Sequence, residues 1–182
     1  MSRIVTPYVY PDIPVIETER LILRAPRAGD EGPWMDFLET DRSRFIGGTL
    51  PRERSWRSFG TVIGHWTLRG WGQYVLEDRA TGAPIGMVGP WFPEGWPEHE
   101  LGWTIWSVAH EGRGLAAEAM IPVRLHAYRV LGWTTAVSYI DPQNARSIAL
   151  AERLGAVRDP DAAWPGEDET LVYRHPGPEA LA

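Results

Sequence analysis

The sequence predicts a single domain of mixed α+β class, built around a mostly antiparallel sheet. Short runs with the two-residue period of a strand alternate irregularly with longer runs that have the period of a helix. Near the middle of the chain three strand-like runs follow one another without a helix between them, which favours antiparallel pairing. No linker or internal repeat interrupts residues 1–182, and this length is sufficient for one buried core.

The first third of the chain predicts an extended arm, one strand and two helices. Residues 1–15 contain three prolines and no helical period, so they are interpreted as an extended N-terminal arm. Residues 18–24 (TERLILR) form a short apolar strand. Asp30 is placed to cap a first helix, and residues 52–68 form a second helix. The apolar positions of the second helix recur every three or four residues, at Trp56, Phe59, Ile63 and Trp66.

The rest of the chain predicts five more strands and two more helices. The strands are expected at residues 73–78, 84–91, 98–108, 135–140 and 169–174, and the helices at 115–131 and 144–154. The turn at residues 79–82 joins the first two of these strands into a hairpin. Gly155 lies where the last helix would end.

Composition excludes several classes of function. The net charge of −6 argues against binding nucleic acid through bulk electrostatics. No apolar run reaches 18 residues and no signal peptide is visible, so a cytoplasmic protein without a membrane partner is expected. Cysteine is absent, which excludes disulfides and a thiolate nucleophile. The five histidines share no spacing typical of a metal site, so no metal is expected.

The most informative motif is a glycine loop that directly precedes the helix beginning at Leu115. Gly112 and Gly114 allow a sharp turn, and the helix directs its free N–H groups and its positive dipole end to the same point. This arrangement predicts a site for a phosphate or diphosphate. Gly112, Gly114 and Ala117 also match the dinucleotide fingerprint G-x-G-x-x-G/A, but a hairpin precedes the loop where parallel βαβ units would be required.

Six markers in the correct order resemble the GNAT superfamily of N-acetyltransferases, in the RimJ/RimL-like branch. They are the run at 18–24, Ile85-Gly86-x-Val88-Gly89, Glu100-Leu101-Gly102-Trp103, the loop and helix start at 112–119, Asn144-Ala145-Arg146-Ser147 and Arg153-Leu154-Gly155-Ala156. The resemblance implies a twisted, mostly antiparallel sheet of about six to seven strands with about four flanking helices. It also implies that the fourth and fifth strands splay apart.

The same resemblance implies acetyl-CoA as the cofactor. The implied cofactor-binding residues are Trp106, Ser107, Val108, Glu111, Gly112, Arg113, Gly114, Leu115, Ala116, Asn144 and Ser147. Backbone groups at Trp106 and Val108 are expected to be free to pair with pantetheine amides. Glu111 stands where the family has Gln or Arg, so its carboxylate is expected to face solvent and only its backbone to contribute. Arg113 is then the expected positive side chain, with an ordinary surface arginine as the alternative.

Two side chains at the start of the last helix are candidates for contacts with the cofactor. Asn144 is a good helix N-cap, and by resemblance it also lies near the pantetheine arm. Ser147 could hydrogen-bond the thiol or protonate the thiolate. Ala151 occupies the position where many family members have a tyrosine as the general acid, so that role is either absent or transferred to Ser147.

Strand alternation separates the two candidates for a general base. His99 shares one face with apolar Leu101, which is expected to be core, whereas Glu100 shares the other face with Gly102 and Thr104. The small residues on that face leave room for a substrate. Glu100 is therefore the predicted base, with a structural hydrogen-bond partner as the alternative role.

The resemblance, together with these residues, implies an acetyl-CoA-dependent N-acetyltransferase that acts by direct transfer in a ternary complex. The expected acceptor is a protein N-terminus or a small-molecule amine, and a homodimer is possible. Trp71, Trp91 and Trp96 could form one wall of the acceptor pocket or could simply pack. The alternative function is a non-catalytic module that binds acyl-CoA as a regulatory ligand.

Overall fold

The computed structural model describes residues 13–181, so most of the expected N-terminal arm lies outside the described residues. The strands are β1 (Ile16–Glu17), β2 (Leu21–Arg24), β3 (Tyr74–Asp78), β4 (Pro84–Trp91), β5 (Glu100–Ile105), β6 (Val137–Ile140), β7 (Val157–Arg158) and β8 (Leu171–Arg174). The helices are α1 (Glu31–Leu38), α2 (Arg52–Arg69), α3 (Leu115–Arg129) and α4 (Ala145–Arg153). Single 3₁₀ turns occupy Asp41–Phe45, Val108–His110 and Pro178–Leu181.

The eight strands form one sheet in the order β1-β2-β3-β4-β5-β6-β8-β7. Every neighbouring pair is antiparallel except β5 and β6, which run parallel. The predicted mixed α+β class with four helices is confirmed. The strand number is higher than the expected six to seven because β1 and β7 have two residues each, too few to produce a recognisable period.

The helices cover both faces of the sheet. Helices α1 and α2 pack on Val75 and Met87, in a core that includes Trp34, Phe59 and Trp106. Helix α3 packs on the opposite face, against Tyr74, Val88 and Leu101. The register pairs Met87 with Thr104 and Val88 with Trp103, so alternate residues of β5 face opposite helical layers.

Three local expectations from the sequence were wrong. The strand expected at 98–108 ends at Ile105, and a 3₁₀ turn follows it. Asp30 precedes α1 but makes no side-chain cap, because its buried carboxylate accepts hydrogen bonds from the guanidinium of Arg24, at 2.8 and 2.9 Å. Trp56 of α2 is 62% exposed, although its spacing placed it with the core.

Candidate active site

Strands β5 and β6 separate after a single residue pair. Glu100 pairs with Val137, whose N–H donates to the carbonyl of His99 at 3.0 Å. Two residues further along β5, the carbonyl of Leu101 accepts instead from the hydroxyl of Ser138, at 2.6 Å. Because alternate backbone groups of a strand point to the same side, those of Trp103 and Ile105 also face β6, which does not pair with them. The described strands therefore enclose the cleft that the resemblance implied.

A chain of buried polar groups explains where the pairing ends. Arg124 of α3 donates to Nδ1 of His175 (3.2 Å), and Nε2 of His175 lies 3.0 Å from the hydroxyl of Ser138. Burial lowers the pKa of His175 to about 3, so the ring is neutral and its Nε2–H donates to Ser138. The hydroxyl proton of Ser138 is then directed to Leu101, where a β6 backbone N–H would otherwise bind. A side chain thus replaces the next rung of the ladder.

The glycine loop lies at the wide end of this cleft. Gly112 and Gly114 have φ values of 69° and 76°, a backbone region that favours glycine, and Gly114 directly precedes α3. A Cβ at Gly112 would meet no atom within 4 Å, and one at Gly114 would meet only a guanidinium nitrogen of Arg20 at 3.9 Å. The glycine loop therefore borders open space directly before the N-terminus of α3, a position that suits an anion.

Arg20 and Glu118 hold this loop from behind, and the sequence analysis did not single them out. Arg20 donates to the carbonyl of Arg113 (3.0 Å) and to the carboxylate of Glu118 (2.6 Å). Glu118 also accepts from the hydroxyl of Thr18, at 2.6 Å. The threonine and arginine of the TERLILR run are therefore bonded to the first turn of α3, a contact that sequence separation concealed. Arg113 itself is exposed.

The carboxylate of Glu111 was expected to face solvent, but the structure places it between two arginines. Its carboxylate forms ion pairs with Arg42 and with Arg146 of α4. Burial alone would raise the pKa of Glu111, but hydrogen bonds from the two arginines hold it below its usual range. The side chain is therefore an ionised anchor for two cations beside the glycine loop.

The expectation of free backbone groups at Trp106 was also wrong. Its N–H donates to the carbonyl of Ile85 at 2.8 Å, and its own carbonyl accepts from Nη1 of Arg42 at 2.5 Å. Val108 begins the 3₁₀ turn, and its carbonyl accepts from the N–H of Glu111. Because β5 ends earlier than the period predicted, the backbone groups that face the cleft belong to Trp103 and Ile105.

Helix α4 brings a hydroxyl to the narrow end of the cleft. Asn144 caps the helix through its side-chain oxygen, which accepts from the N–H of Ser147 at 3.2 Å. The indole N–H of Trp103 reaches across from β5 and donates to Oγ of Ser147, also at 3.2 Å. Ala151 is fully buried one turn further on and supplies no hydroxyl. Ser147 therefore receives a hydrogen bond and keeps its own proton available to donate.

Glu100 lies on the α1/α2 face, as alternation predicted. Its carboxylate accepts from the indole N–H of Trp96 at 2.7 Å, and burial raises its pKa to about 7. A Cβ at Gly102 would lie 2.8 Å from Nε2 of Gln73 and 3.5 Å from Oε1 of Glu100, so this glycine opens the space where those two side chains converge. Gln73 carries no motif and was missed by the sequence analysis.

The neighbouring aromatic residues Trp91 and Trp71 pack against different hydrophobic clusters. Trp91 pairs with Glu100 across β4 and β5, and its ring stacks on His65 at 4.7 Å. Trp71 instead packs edge-on against Trp133, at 5.0 Å. His99 stacks on the same Trp133 ring and, as expected, does not share the face of Glu100.

Comparison with known proteins identifies the family. The family model described as "Acetyltransferase (GNAT) domain" matches residues 20–157. The chain belongs to the GNAT acetyltransferase family. An acetyltransferase from Agrobacterium tumefaciens is 38% identical with a TM-score of 0.84, over 94% of this chain and 99% of that one. A GNAT-family acetyltransferase from Bordetella pertussis is 31% identical with a TM-score of 0.73, over 90% of this chain and 99% of that one.

More distant GNAT structures share the fold. RimL, a ribosomal L7/L12 alpha-N-protein acetyltransferase whose structure contains coenzyme A, is 15% identical with a TM-score of 0.69, over 89% of this chain and 96% of that one. The matching family model and the Agrobacterium tumefaciens acetyltransferase make this chain an acetyl-CoA-dependent acyltransferase by family. Between residues 13 and 181 no helix could span a membrane, and no group of three or more His, Asp or Glu side chains could hold a metal.

Proposed function

We propose that this acetyltransferase moves the acetyl group of acetyl-CoA directly to a primary amine, with the cofactor in the cleft between β5 and β6. The observation that carries the proposal is the loss of β5–β6 pairing after one residue pair. The resulting cleft leads to the open glycine loop before α3. A sheet edge recognises an extended chain that carries amides, and a helix start recognises a diphosphate. Coenzyme A joins these two features in one molecule.

The residues present suit that cofactor. Backbone groups of Trp103 and Ile105 would pair with the pantetheine arm, while Gly112, Gly114 and the start of α3 would hold the diphosphate. When bound there, acetyl-CoA supplies an acetyl thioester whose carbonyl carbon accepts the amine. An N–H on the cleft side of β5 would donate to the thioester oxygen and stabilise the charge that develops on it. No cysteine exists to form an acyl-enzyme, which favours direct transfer.

Glu100 is proposed as the base that removes a proton from the acceptor ammonium. A pKa of about 7 keeps a large fraction of the carboxylate ionised near neutral pH while leaving it basic enough to accept a proton. An α-amino group, with a pKa of about 7.7–8.0, is already about a tenth neutral at pH 7, whereas lysine, with a pKa of about 10.4, is almost entirely charged. The Glu100 environment therefore favours a protein N-terminus or a small amine of similarly low pKa.

Ser147 is proposed as the donor that assists departure of the thiolate. The hydrogen bond that its oxygen receives from Trp103 orients the hydroxyl and leaves its proton for another acceptor. Asn144 supports this role indirectly, since its cap holds the first turn of α4 that carries Ser147. The cytoplasmic location and the homodimer stay predictions from the sequence.

The proposal can be tested with purified protein, acetyl-CoA and a panel of N-terminal peptides, small amines and lysine side chains. We expect release of coenzyme A with at least one acceptor. Glu100→Gln should lower kcat by about 10²- to 10⁴-fold, the usual range for a general base, and Ser147→Ala by a smaller factor. Both variants should bind coenzyme A within twofold of the unmodified protein.

Glu94→Gln is the matched control, because Glu94 lies in the β4–β5 loop that precedes Glu100 and its side chain is fully exposed. If coenzyme A binds tightly but no acceptor is acetylated, the protein is a non-catalytic acyl-CoA-binding module. If coenzyme A does not bind at all, the assignment of the cleft is wrong.

A further inference from the structure

Arg42 crosses the wide end of the cleft from the segment between α1 and α2. It belongs to the 3₁₀ turn Asp41–Phe45, and its guanidinium reaches the end of β5. Nη2 donates to the carbonyl of Ile105 at 2.9 Å, and Nη1 donates to that of Trp106 at 2.5 Å. Nε donates to Glu111 at 2.9 Å. All three nitrogens of one planar group are therefore bonded across the opening.

One of these contacts occupies a position that the proposed cofactor requires. The backbone of Ile105 faces the cleft, because it lies an even number of residues from Leu101, whose carbonyl bonds to β6. A pantetheine amide that adds to this edge would need the same carbonyl and the same space. The contact between Arg42 and Ile105 is consequently an intramolecular substitute for the ligand.

Glu111 forms an ion pair with Arg42 and a second one with Arg146. The side chains of Arg42 and Glu111 are 26% and 28% exposed, so their ion pair is partly shielded from solvent, and Arg146 contacts the other oxygen of the carboxylate. The three charges sum to +1 at the entrance to the glycine loop. The loop itself lies beyond Glu111 and makes no contact with Arg42 among the described hydrogen bonds.

We propose that Arg42 is a latch across the cleft, and that the pantetheine arm of coenzyme A must displace it from the carbonyl of Ile105 in order to bind. This inference rests on the proposed function of the cleft. The latch competes with the arm and not with the diphosphate, since the glycine loop is open while Arg42 is bonded to Ile105. Arg42 is thus a positioning residue that links cofactor entry to the segment between α1 and α2.

The test compares two ligands and one conservative substitution. Arg42→Lys keeps the positive charge but loses the planar fork that spans two carbonyls and a carboxylate. Calorimetry with coenzyme A and with ADP, which carries a diphosphate but no pantetheine, separates the two parts of the ligand. We expect Arg42→Lys to bind coenzyme A about five- to tenfold more tightly and ADP within twofold, because charge-assisted bonds to the latch no longer have to be broken.

Arg44→Lys is the matched control, because Arg44 belongs to the same turn, where its guanidinium donates to the carbonyl of Asp41 and lies over the ring of Phe45. It should change neither affinity. Hydrogen exchange provides a second measurement on the unmodified protein, in which amides of residues 41–46 should exchange faster when coenzyme A is added but not when ADP is added.

Each outcome decides between interpretations. Weaker binding of both ligands by folded Arg42→Lys would make Arg42 a phosphate ligand, and unchanged binding of both would make it a structural contact; either result overturns the latch. If Arg42→Lys binds coenzyme A and the unmodified protein does not, the latch is confirmed, because Arg42 then prevents binding altogether. If neither protein binds coenzyme A, the proposed function fails and the latch fails with it.

Discussion

The hydrogen bond between Trp96 and Glu100 sets the protonation of the proposed base, so replacing Trp96 by phenylalanine should move the pH dependence of the reaction. The indole N–H lies 2.7 Å from Oε2 of Glu100 and stabilises the ionised carboxylate. Burial opposes it and raises the pKa to about 7. Without the indole donor, only the backbone hydrogen bond from Tyr139 still opposes burial, so the pKa of Glu100 rises further.

The size of the shift follows from the strength of that bond. A hydrogen bond to a charged group contributes about 1.5–3 kcal/mol, and one pKa unit corresponds to about 1.4 kcal/mol, so the limit is roughly one to two units. Glu100 is only partly buried, and water can replace some of the lost donor. We therefore expect the lower value, a pKa of about 8 for Glu100 in Trp96→Phe.

The assay is kcat/KM against pH, measured from the thiol of released coenzyme A. The protein contains no cysteine, so a thiol reagent detects the product without a background from the enzyme. The unmodified enzyme should gain activity as the pH rises through about 7, because the ionised form of Glu100 is the base. Trp96→Phe should lose about fivefold at pH 7 and recover above about pH 9.

Trp164→Phe is the control, since Trp164 lies in the loop before β8 and is 41% exposed. Its profile should match that of the unmodified enzyme. If the profile of Trp96→Phe also superimposes on it, the indole does not control the ionisation of Glu100. If the limb near pH 7 survives in Glu100→Gln, another group is the base.

Three further predictions concern stability. Glu100→Gln should stabilise the fold by about 3 kcal/mol at pH 8 but not at pH 4 in urea unfolding. A carboxyl whose pKa is raised on folding from 4.5 to about 7 costs stability only at a pH where it is ionised in the unfolded chain. Ser138→Ala should lower the free energy of unfolding by about 1–3 kcal/mol, since it leaves a buried donor and a buried carbonyl unpaired; an unchanged melting temperature would contradict the buried chain of polar groups. Gly86→Ala should lower the free energy of unfolding by about 2 kcal/mol or more, because its Cβ would lie 2.4 Å from the carbonyl oxygen of Thr104. Its control is Gly64→Ala in α2, whose Cβ would meet nothing within 4 Å and which should raise the free energy of unfolding by up to about 1 kcal/mol.

Features that depend on neighbours in the chain could be predicted. Helix α3 and its glycine loop, the β3–β4 hairpin and the Asn144 cap all follow from the spacing of apolar residues, glycines and capping side chains within one segment. The face assigned to Glu100 needed only the two-residue period of a strand. Two-residue strands such as β7 have no period, and the end of β5 at Ile105 shifted the cleft-facing groups away from Trp106.

The sequence by itself determined the family, the order of the long elements and the position of the phosphate loop, because each is encoded in short runs of residues. Only the tertiary structure decided which side chains meet between distant segments. Ser138 ends the pairing of Leu101 from 37 residues away, and Arg42 reaches Glu111 from 69 residues away. These contacts form only where packed helices and strands bring distant segments together, so no local sequence pattern predicts them. The pKa of Glu100 has the same origin, since burial is a property of the folded chain.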